Sequence, residues 1–541
     1  MLYYTRVIPM LKKIISILTA LCIIILCFSA CNNKDTANKA FACAVTEMPT
    51  HFDPQIAFTV GEKMIAVNIF DGLFKLDENG TPQNCIVKDY TVSDDGLVYT
   101  FELLDNMSYY ISDKAKKFIE EREGKIDGKI TADDFVFGLT RAVLPETAAP
   151  DFELISAVKN AESVHSGKTD SSALGVKALG EYTLEITLER ADNNFLYALS
   201  QPVSFPCDRE FFELTGGRYG LEEKYIITSG AFYLSSVTAD TSVRIAKNSE
   251  YNGPFAAVPS SVGFYLNTDI TDAAKKVNKG TYDCGFFAES ETSGELGRSV
   301  SVTELPNISR SLIFNMANKN MQNLSLRTGL VSCIDLSTVT DTPANSLIPT
   351  YYGFLGNQTD IPVQDKIPYN IENARNDMVQ AFKELGVDNL TVEILCTEDY
   401  EDIVKAIVNC WQRDIGVELN GTVTVVSAED FEKRISSGDF DMAVYPLTAD
   451  SNRAVSFLSL FTEGNMLNVS RHSSEEYDRL VSELIKSPDI EKAAYCQSYL
   501  LKNAIVLPLF TENTVFALAE GVSGIYFYGD STNVYFYRGQ K

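Results

Sequence analysis

The side chains best suited to bind a metal or to attack a carbonyl are eleven cysteines and three histidines. His51, His165 and His472 lie far apart, and no two cysteines are separated by only two residues. Zinc sites are recognised by closely spaced pairs of such ligands. The sequence therefore predicts no metal centre and no bound cofactor. We expect the eight cysteines that follow Cys31 to be buried free thiols, although the sequence leaves disulfides open.

The motifs that position catalytic groups are missing as well. The chain has no Gly-x-Ser-x-Gly elbow and no His-Glu-x-x-His motif. Residues 167–169 (GKT) lack the glycine that a phosphate-binding loop carries five residues earlier, because Glu162 stands there. Pairs of carboxylates arise by chance among 73 acidic residues. We therefore expect a binding protein rather than an enzyme.

The composition limits the class of partner. The chain has 46 basic and 73 acidic residues and a formal net charge of −27. Such a charge repels phosphate backbones and argues against a nucleic-acid partner. Hydrophobic residues make up 45% of the 541 residues, which is typical of a globular protein. A chain of this length has room for about three or four domains.

The start of the chain predicts an exported, lipid-anchored protein. Basic residues precede an apolar stretch that ends at Phe28 and is shorter than the roughly twenty residues needed to cross a bilayer. Residues 28–31 (FSAC) resemble the lipobox of bacterial lipoproteins, with Phe28 in place of the usual leucine. The resemblance implies that residues 1–30 are a signal peptide and that Cys31 carries the lipid. Residues 31–40 are then a polar tether.

The pattern of apolar residues predicts mixed α/β structure. Leu390 to Cys396 alternates like a strand, Glu401 to Asp414 has helical spacing, and Val417 to Val426 is typical of a second strand. A strand, a helix and a strand joined by short connections form a parallel βαβ unit. The sequence also predicts a helix that begins near Thr131, which can cap it, and a hairpin within residues 229–245.

Several segments, taken in order, resemble the extracellular solute-binding family 5, the oligopeptide-binding proteins of ABC importers. Each segment alone is a sequence pattern common in turns and strands. The order and spacing of all the segments together are hard to obtain by chance. They run along essentially the whole chain after residue 40: 47–54 (EMPTHFDP), 68–77 (NIFDGLFKLD), 92–103 (VSDDGLVYTFEL), 127–136 (DGKITADDFV), 229–233 (SGAFY), 246–252 (AKNSEYN), Asn315 with Arg327 and Asp335, and 439–450 (DFDMAVYPLTAD) followed by 456–458 (SFL).

The resemblance implies a fold. We expect an α/β protein with the two-lobed fold of periplasmic binding proteins, in the class with an extra domain, with mixed sheets and a hinge between the lobes. The expected boundaries are 41–70 with 205–262 and 500–541 for domain I (the first lobe), 71–204 for domain II (the extra domain), and 263–499 for domain III (the second lobe).

The resemblance also implies a ligand site. Asp450 takes the place of the aspartate that pairs with the α-amine of a bound peptide. A carboxylate holds a cation best in a closed, dehydrated cleft, where attraction is stronger than in water. Thr448 and Ala449 in the same loop, and Glu47 near the start of the chain, are further ligand-binding candidates. The alternative is that Asp450 is an ordinary turn residue at the end of a strand.

Five aromatic residues are candidates for the walls of the cleft. The alternative for each of them is a place in the ordinary core, where aromatic side chains are common. They are Tyr109, Tyr110, Tyr265, Tyr445 and Phe457.

The chain departs from the family pattern in ways that bear on specificity. Val444 and Ile313 stand where peptide binders carry an arginine and a glutamate that face the ligand, which puts the family's carboxylate clamp in doubt. Pro446 removes a backbone donor. Thr448 and Ile308 replace two cysteines that some members join. Residues 104–126 form an insertion, with a charged helix predicted from Lys114 to Glu123, for which we have no functional account.

The resemblance implies a receptor that binds an oligopeptide outside the cytoplasm and delivers it to a membrane permease powered by a separate ATPase. We expect a monomer that is anchored by its lipid on the extracytoplasmic face of the cell membrane. Two alternatives stay open. One is a receptor of the same fold for another solute, such as a metal chelate or a sugar, or a sensor for signal peptides. The other is an enzyme or adhesin on this scaffold.

Overall fold

The computed structural model describes residues 39–192, 194–292, 294–354, 357–416, 418–449, 453–528 and 533–541. Cys31 and the predicted signal peptide lie outside the described residues, as does Asp450. Within these ranges, none of the helices has the length and apolar character that a membrane-spanning segment requires.

The strands of the described residues are β1 (Ala40–Val45), β2 (Phe74–Leu76), β3 (Pro82–Asn84), β4 (Val87–Val92), β5 (Val98–Leu103), β6 (Val176–Gly180), β7 (Thr183–Thr187), β8 (Phe232–Thr238), β9 (Ser242–Lys247), β10 (Ser261–Leu266), β11 (Cys284–Ala288), β12 (Ser301–Phe314), β13 (Gly353–Phe354), β14 (Asn357–Gln358), β15 (Leu390–Cys396), β16 (Leu419–Val425), β17 (Met442–Leu447), β18 (Val506–Leu518), β19 (Tyr526–Phe527) and β20 (Val534–Tyr535).

The α-helices are α1 (Val60–Ile69), α2 (Asp113–Glu121), α3 (Ala132–Val143), α4 (Ala161–His165), α5 (Phe195–Ala198), α6 (Arg209–Thr215), α7 (Ile270–Asn278), α8 (Glu289–Thr292), α9 (Leu324–Ser332), α10 (Ile371–Leu385), α11 (Glu401–Asp414), α12 (Ala428–Ser437), α13 (Ala454–Ser459), α14 (Glu475–Lys486) and α15 (Ile490–Lys502).

The local predictions agree with these elements. Strands β15 and β16 pair in parallel around α11, so the βαβ unit is confirmed. The hairpin is confirmed as β8 and β9, which pair antiparallel. Helix α3 begins after Thr131, which forms a capping box with Asp134. The charged helix of the insertion is confirmed as α2.

A ten-stranded mixed sheet organises the two lobes. Its order is β16-β15-β17-β12-β18-β11-β1-β10-β9-β8. The two longest strands, β12 and β18, lie side by side in its middle and pair antiparallel along most of their length. We call them the crossing strands, because β17, β15 and β16 extend the sheet beside one part of the pair and β11, β1 and β10 beside the other.

The second lobe buries both faces of its part of this sheet. Leu395 and Ala443 belong to one apolar core, which also contains residues of α12 to α15. Ile394 and Val444 belong to the other core, together with residues of α9, α10 and α11. Side chains of β15 and β17 are thus buried on both sides, as in a parallel sheet covered by helices.

Domain II has its own sheet and its own core. The sheet is antiparallel, in the order β4-β5-β7-β6. The apolar core around this sheet runs from Leu73 to Ile227, past the predicted end of domain II at residue 204, and includes Phe101, Phe135 and Leu184, which are fully buried. The predicted boundary between domains I and III, residue 263, falls within β10, which pairs along its length with β1. The division of the chain into lobes stays a prediction.

Candidate ligand-binding site

The carboxyl ends of strands from the two lobes meet beside the crossing strands. The end of β17, Leu447, lies opposite Ser309 of β12, and Ser309 lies opposite Thr511 of β18. The end of β11, Ala288, lies opposite Thr514 of β18, only three residues further along. Ligands of open α/β sheets bind where the carboxyl ends of strands meet. This junction is therefore the candidate site.

Three of the predicted site residues follow strands that end at this junction or near it. Thr448 and Ala449 continue β17, and Glu47 follows β1, which runs parallel to β11. Thr448 and Glu47 are exposed and Ala449 is half-buried. Thr448 and Glu47 are thus accessible to solvent, and contact of these residues with a ligand stays a prediction.

Tyr352 organises the loop after β17, and the sequence analysis did not single it out. The Tyr352 hydroxyl donates to the carbonyl oxygen of Asn307, 2.9 Å away, and accepts from the backbone N–H of Ala449, also at 2.9 Å. The Thr448 hydroxyl lies 3.1 Å from the same oxygen. Because the tyrosine proton goes to Asn307, Thr448 is the donor in this contact. One buried hydroxyl thus has three partners.

Asn307 lies in an irregularity of the crossing strands. The register of β12 against β18 shifts between Leu305 and Ile308. The Asn307 side-chain oxygen accepts from the backbone N–H of Thr514, 3.2 Å away. A bulge leaves backbone groups unpaired. Here Asn307 satisfies one such group and Tyr352 satisfies the carbonyl of Asn307. Tyr352 thus joins the bulge to the loop that begins at Thr448 after β17, which we call the ligand loop.

Two predicted aromatic residues flank this loop from the second lobe. Phe457 is fully buried, and its ring centroid is 4.9 Å from that of Tyr352. Phe457 therefore positions Tyr352 from within the core. Tyr445 is half-buried, and its ring centroid is 6.3 Å from that of Phe431. Burial raises the pKa of the Tyr445 hydroxyl.

The remaining aromatic candidates lie elsewhere. Tyr109 is only 4% exposed and belongs to the core of domain II. Tyr110 stacks on Tyr233 with ring centroids 4.2 Å apart, and burial raises its pKa to about 12. Tyr265, in β10, stacks on Tyr282. The structure therefore brings Thr448, Ala449 and Phe457 together around Tyr352, and the role of these other tyrosines in ligand binding stays a prediction.

Arg453, another residue not predicted from sequence, connects the loop to domain II. It lies directly before α13, and its guanidinium is 3.1 Å from the carboxylate of Glu153. It also forms an isolated parallel bridge with Gly353, next to Tyr352. Ala449 and Arg453 are thus both joined to the segment at residues 352–353, Ala449 to the Tyr352 hydroxyl and Arg453 to Gly353.

Glu62 holds the facing segment of the first lobe. Its buried carboxylate accepts hydrogen bonds from the backbone N–H groups of Thr50, Phe58 and Thr59, at 3.0–3.1 Å. The Thr50 hydroxyl donates to it as well, at 2.9 Å, and His51 Nε2 is 3.5 Å away. Burial alone raises the pKa of Glu62, but these donors outweigh it and the net pKa is lowered. Glu62 thereby fixes the chain that follows Glu47.

A largely buried ion pair joins the two middle strands beside the site. Arg310 of β12 donates through Nε to Glu512 of β18 at 2.9 Å. The Tyr400 hydroxyl donates to the other oxygen of Glu512, also at 2.9 Å, and burial raises the pKa of Tyr400. Arg310 lies over the Tyr400 ring, 4.2 Å from its centroid. The charges of Arg310 and Glu512 therefore balance each other, and neither group needs a ligand as its partner.

Two of the departures from the family pattern are buried apolar residues in the structure. Val444 is 1% exposed and Ile313 is buried completely. Neither position offers a charge to a ligand.

The cysteines and the acidic residues form no metal site in the described part of the chain. The eight cysteines from Cys43 to Cys496 are buried free thiols. No group of three or more histidine, cysteine or carboxylate side chains in that part could hold a metal ion.

Comparison with known proteins identifies the family. Residues 81–467 match the family model described as bacterial extracellular solute-binding proteins, family 5 Middle. A dipeptide-binding protein of Lactococcus lactis subsp. cremoris is 24% identical over 507 residues, which are 89% of each chain. A periplasmic protein of Escherichia coli K12, named as a probable deoxycholate-binding protein, is 23% identical over 507 residues, which are 90% of each chain.

A solved structure shows the same architecture. The structure of Listeria monocytogenes OppA bound to peptide superposes with a TM-score of 0.72 at 21% identity, covering 93% of this chain and 99% of that one. The predicted two-lobed binding-protein fold is confirmed. Since the family model spans most of the chain and the strand ends of both lobes meet at one site, this protein belongs to the bacterial extracellular solute-binding proteins, family 5.

Proposed function

We propose that this chain is the substrate-binding component of an ABC importer and that it captures oligopeptides. The observation that carries the proposal is the junction where the ends of β17 and β11 meet beside the crossing strands, next to a loop fixed by Tyr352. The names of the Lactococcus relative and of the Listeria structure support a peptide as the ligand.

The ligand is held as an extended chain between the lobes. Backbone groups near Ala449 and Glu47 form hydrogen bonds with the main chain of the peptide, as in strand addition. Asp450 pairs with the α-amine of the peptide. Tyr445 and Thr448 border the side chains. Main-chain contacts are independent of sequence, so a range of peptides binds. Closure of the lobes about the crossing strands excludes water from the site.

The surroundings of the protein follow from the same proposal. Cys31 carries a lipid that holds the monomer on the extracytoplasmic face of the cell membrane, and the closed form docks on a permease. The peptide is released unchanged, because the protein binds and does not catalyse.

Mass spectrometry of the native protein tests this function. The protein is purified from cells grown in rich medium and denatured, and the released small molecules are identified. Heterogeneous peptides of similar length are the expected result. Their lengths also give the size of the cleft.

A non-peptide solute is the second candidate, because one relative is named for deoxycholate and because Val444 and Ile313 offer no charge to a peptide. A single non-peptide compound in the released material would favour it. A thermal shift with deoxycholate and none with peptides would point the same way.

A further inference from the structure

Two cysteines lie side by side where β1 joins the middle of the ten-stranded sheet. Cys43 of β1 and Cys284 of β11 are register partners in the parallel ladder between these strands. Cys43 is 1% exposed and Cys284 is buried completely, and both belong to the same apolar core. Because side chains alternate between the two faces of a sheet, a shared core places these two thiols on the same face.

The spacing of neighbouring strands suits a bond between the two sulfur atoms. Strands of a sheet lie about 4.7–4.9 Å apart, and the Cα atoms of disulfide-bonded cysteines are usually about 4.4–6.8 Å apart. A hydrogen bond with the Cys43 thiol raises the pKa of the Cys284 thiol, and burial raises it further. The two thiols therefore contact each other, and a disulfide between them is within reach of the backbone as it stands.

The pair lies at a short ladder, which we call the β1–β11 seam. Among the described residues, β1 pairs with β11 at two positions and with β10 at six. The Asp283 carboxylate accepts from the backbone N–H of Ala42 at 2.7 Å and helps to fix this register. Strands β10, β9 and β8 follow β1 in the sheet, so they reach the crossing strands through the seam. A ladder of so few pairs opens more readily than a long one, and its opening exposes both thiols together.

We propose that Cys43 and Cys284 are a redox-active pair that forms a reversible disulfide across the β1–β11 seam. The oxidant is a second disulfide, carried by a small molecule or by an oxidoreductase. Disulfides form and persist outside the cytoplasm, where the proteins of this extracellular family act. The inference goes beyond ligand capture and does not depend on which ligand is bound.

The reaction is thiol–disulfide exchange. When the seam opens, one cysteine of the pair loses its proton, and its sulfur attacks a sulfur of the oxidant to form a mixed disulfide and release one thiolate. The second cysteine loses its proton and attacks the protein sulfur of that mixed disulfide, which releases the other thiolate of the oxidant. The oxidant thereby takes up two electrons and two protons and becomes two thiols, and the protein gains one S–S bond.

The bond joins the two strands that lead to the first-lobe side of the candidate site. Four residues along the chain separate Cys43 from Glu47, and four separate Cys284 from Ala288, the end of β11. A disulfide at the seam therefore holds the ends of β1 and β11 at a fixed spacing. It also closes a loop of roughly 240 residues, which stabilises the folded protein.

Thiol counting and mass spectrometry test the proposal. The folded, reduced protein has eight buried thiols in its described part. It is incubated overnight with oxidised glutathione at about pH 8, near the pKa of a free thiol, blocked with N-ethylmaleimide, and digested without reduction.

The variant is C43A/C284A. The matched control is C333A/C410A, which removes two other buried thiols that lie near each other, one directly after α9 and one in α11.

The expected result is the loss of two of the eight thiols in the unmodified protein, with one peptide pair linked through Cys43 and Cys284. Dithiothreitol restores both thiols. The variant C43A/C284A loses none of its remaining thiols, whereas the control loses two. The midpoint temperature of unfolding of the oxidised protein is about 3 °C or more above that of the reduced protein, and C43A/C284A shows no such difference.

Three results would overturn the inference: retention of all eight thiols, linkage of a different pair, or glutathione adducts without a disulfide inside the protein. The linked peptide is measured on the unmodified protein, so the decision stands even if C43A/C284A does not fold. The experiment contains no ligand. Its failure therefore leaves the proposed function untouched, and the identification of the released small molecules decides that function separately.

Discussion

The hydroxyl of Tyr352 and the backbone carbonyl of Asn307 are joined by a 2.9 Å hydrogen bond that connects the second lobe to the bulge in β12. The same hydroxyl accepts from the backbone N–H of Ala449, at the start of the ligand loop. The bulge of the crossing strands and the ligand loop therefore share one hydroxyl as a hydrogen-bond partner.

Tyr352→Phe removes this shared hydroxyl and keeps the ring against Phe457. We expect the free energy of unfolding to fall by about 1–2 kcal/mol, because the N–H of half-buried Ala449 loses its acceptor and the carbonyl of Asn307 loses its donor. Peptide affinity should fall by roughly threefold to tenfold, as the loop loses its fixed position. Urea unfolding and calorimetry measure the two effects. Tyr495→Phe, at an exposed ring, is the control, and equal behaviour of the two variants would refute the role of Tyr352.

The sequence predicts the βαβ unit well because its information is local. Strand β15 and helix α11 have the bounds that alternation and helical spacing indicate. Tyr352 could not be found in this way. Its partners Asn307 and Ala449 lie 45 and 97 residues away, so the contact depends on tertiary packing. Arg453 and Glu153 are separated still further in sequence, so their contact also depends on tertiary packing.

The aromatic residues also show the limit of prediction from sequence, because two of the predicted cleft residues are buried in the core. Tyr109 and Phe457 have the residue type that a cleft wall needs, yet both are buried in cores. Residue type alone does not distinguish a ring that faces a ligand from one that positions a neighbour. The shift in register near Asn307 could not be predicted either, because β12 shows no regular alternation of buried and exposed residues from which a register could be read.

Asp450→Asn tests the proposed amine anchor. Loss of the carboxylate should weaken binding of peptides with a free amine by about tenfold or more, since a charged contact in a closed site is lost. N-acetylated peptides bind weakly to both forms and should lose less than twofold. Asp402→Asn, at an exposed acid in α11, is the control. An equal loss for acetylated and free peptides would contradict the assignment.

The Glu153–Arg453 pair should slow ligand release. Both side chains are partly exposed, so Glu153→Arg should change stability by less than about 1 kcal/mol. The dissociation rate of a peptide, measured by stopped flow, should rise by roughly twofold to fivefold, because like charges then oppose closure. The exchanged variant E153R/R453E restores the attraction and should restore the rate. Failure of the exchange to do so would exclude an electrostatic role.

The cysteines give a chemical test of lipid attachment and of the thiol state. Burial raises the pKa of Cys396 to about 11 and that of Cys207 and Cys496 to about 12. Thiols of this kind react slowly, because the thiolate is the reactive form. We expect little reaction with a thiol reagent in the native protein and eight thiols after denaturation. One further thiol would argue against a lipid on Cys31, and a count lower by two would indicate a disulfide.

Glu62 should make stability depend on pH in a defined direction. Its pKa is lowered in the folded protein, since the donors from Thr50, Phe58 and Thr59, with His51, outweigh the effect of burial. A lowered pKa contributes stability that is present above the ordinary value, 4.5, and is lost as the pH falls through the folded value.

Glu62→Gln should therefore reduce the free energy of unfolding by about 1–3 kcal/mol near neutral pH, since hydrogen bonds to a charged group are weakened. The difference from the unchanged protein should shrink as the pH falls below about 4.5 and through the lower folded value, because Glu62 is then protonated and, like glutamine, carries no charge. Denaturant unfolding across this range measures it, and Asp94→Asn, at an exposed acid, is the control. A difference that stays constant with pH would show that the carboxylate charge of Glu62 does not hold the segment after Glu47.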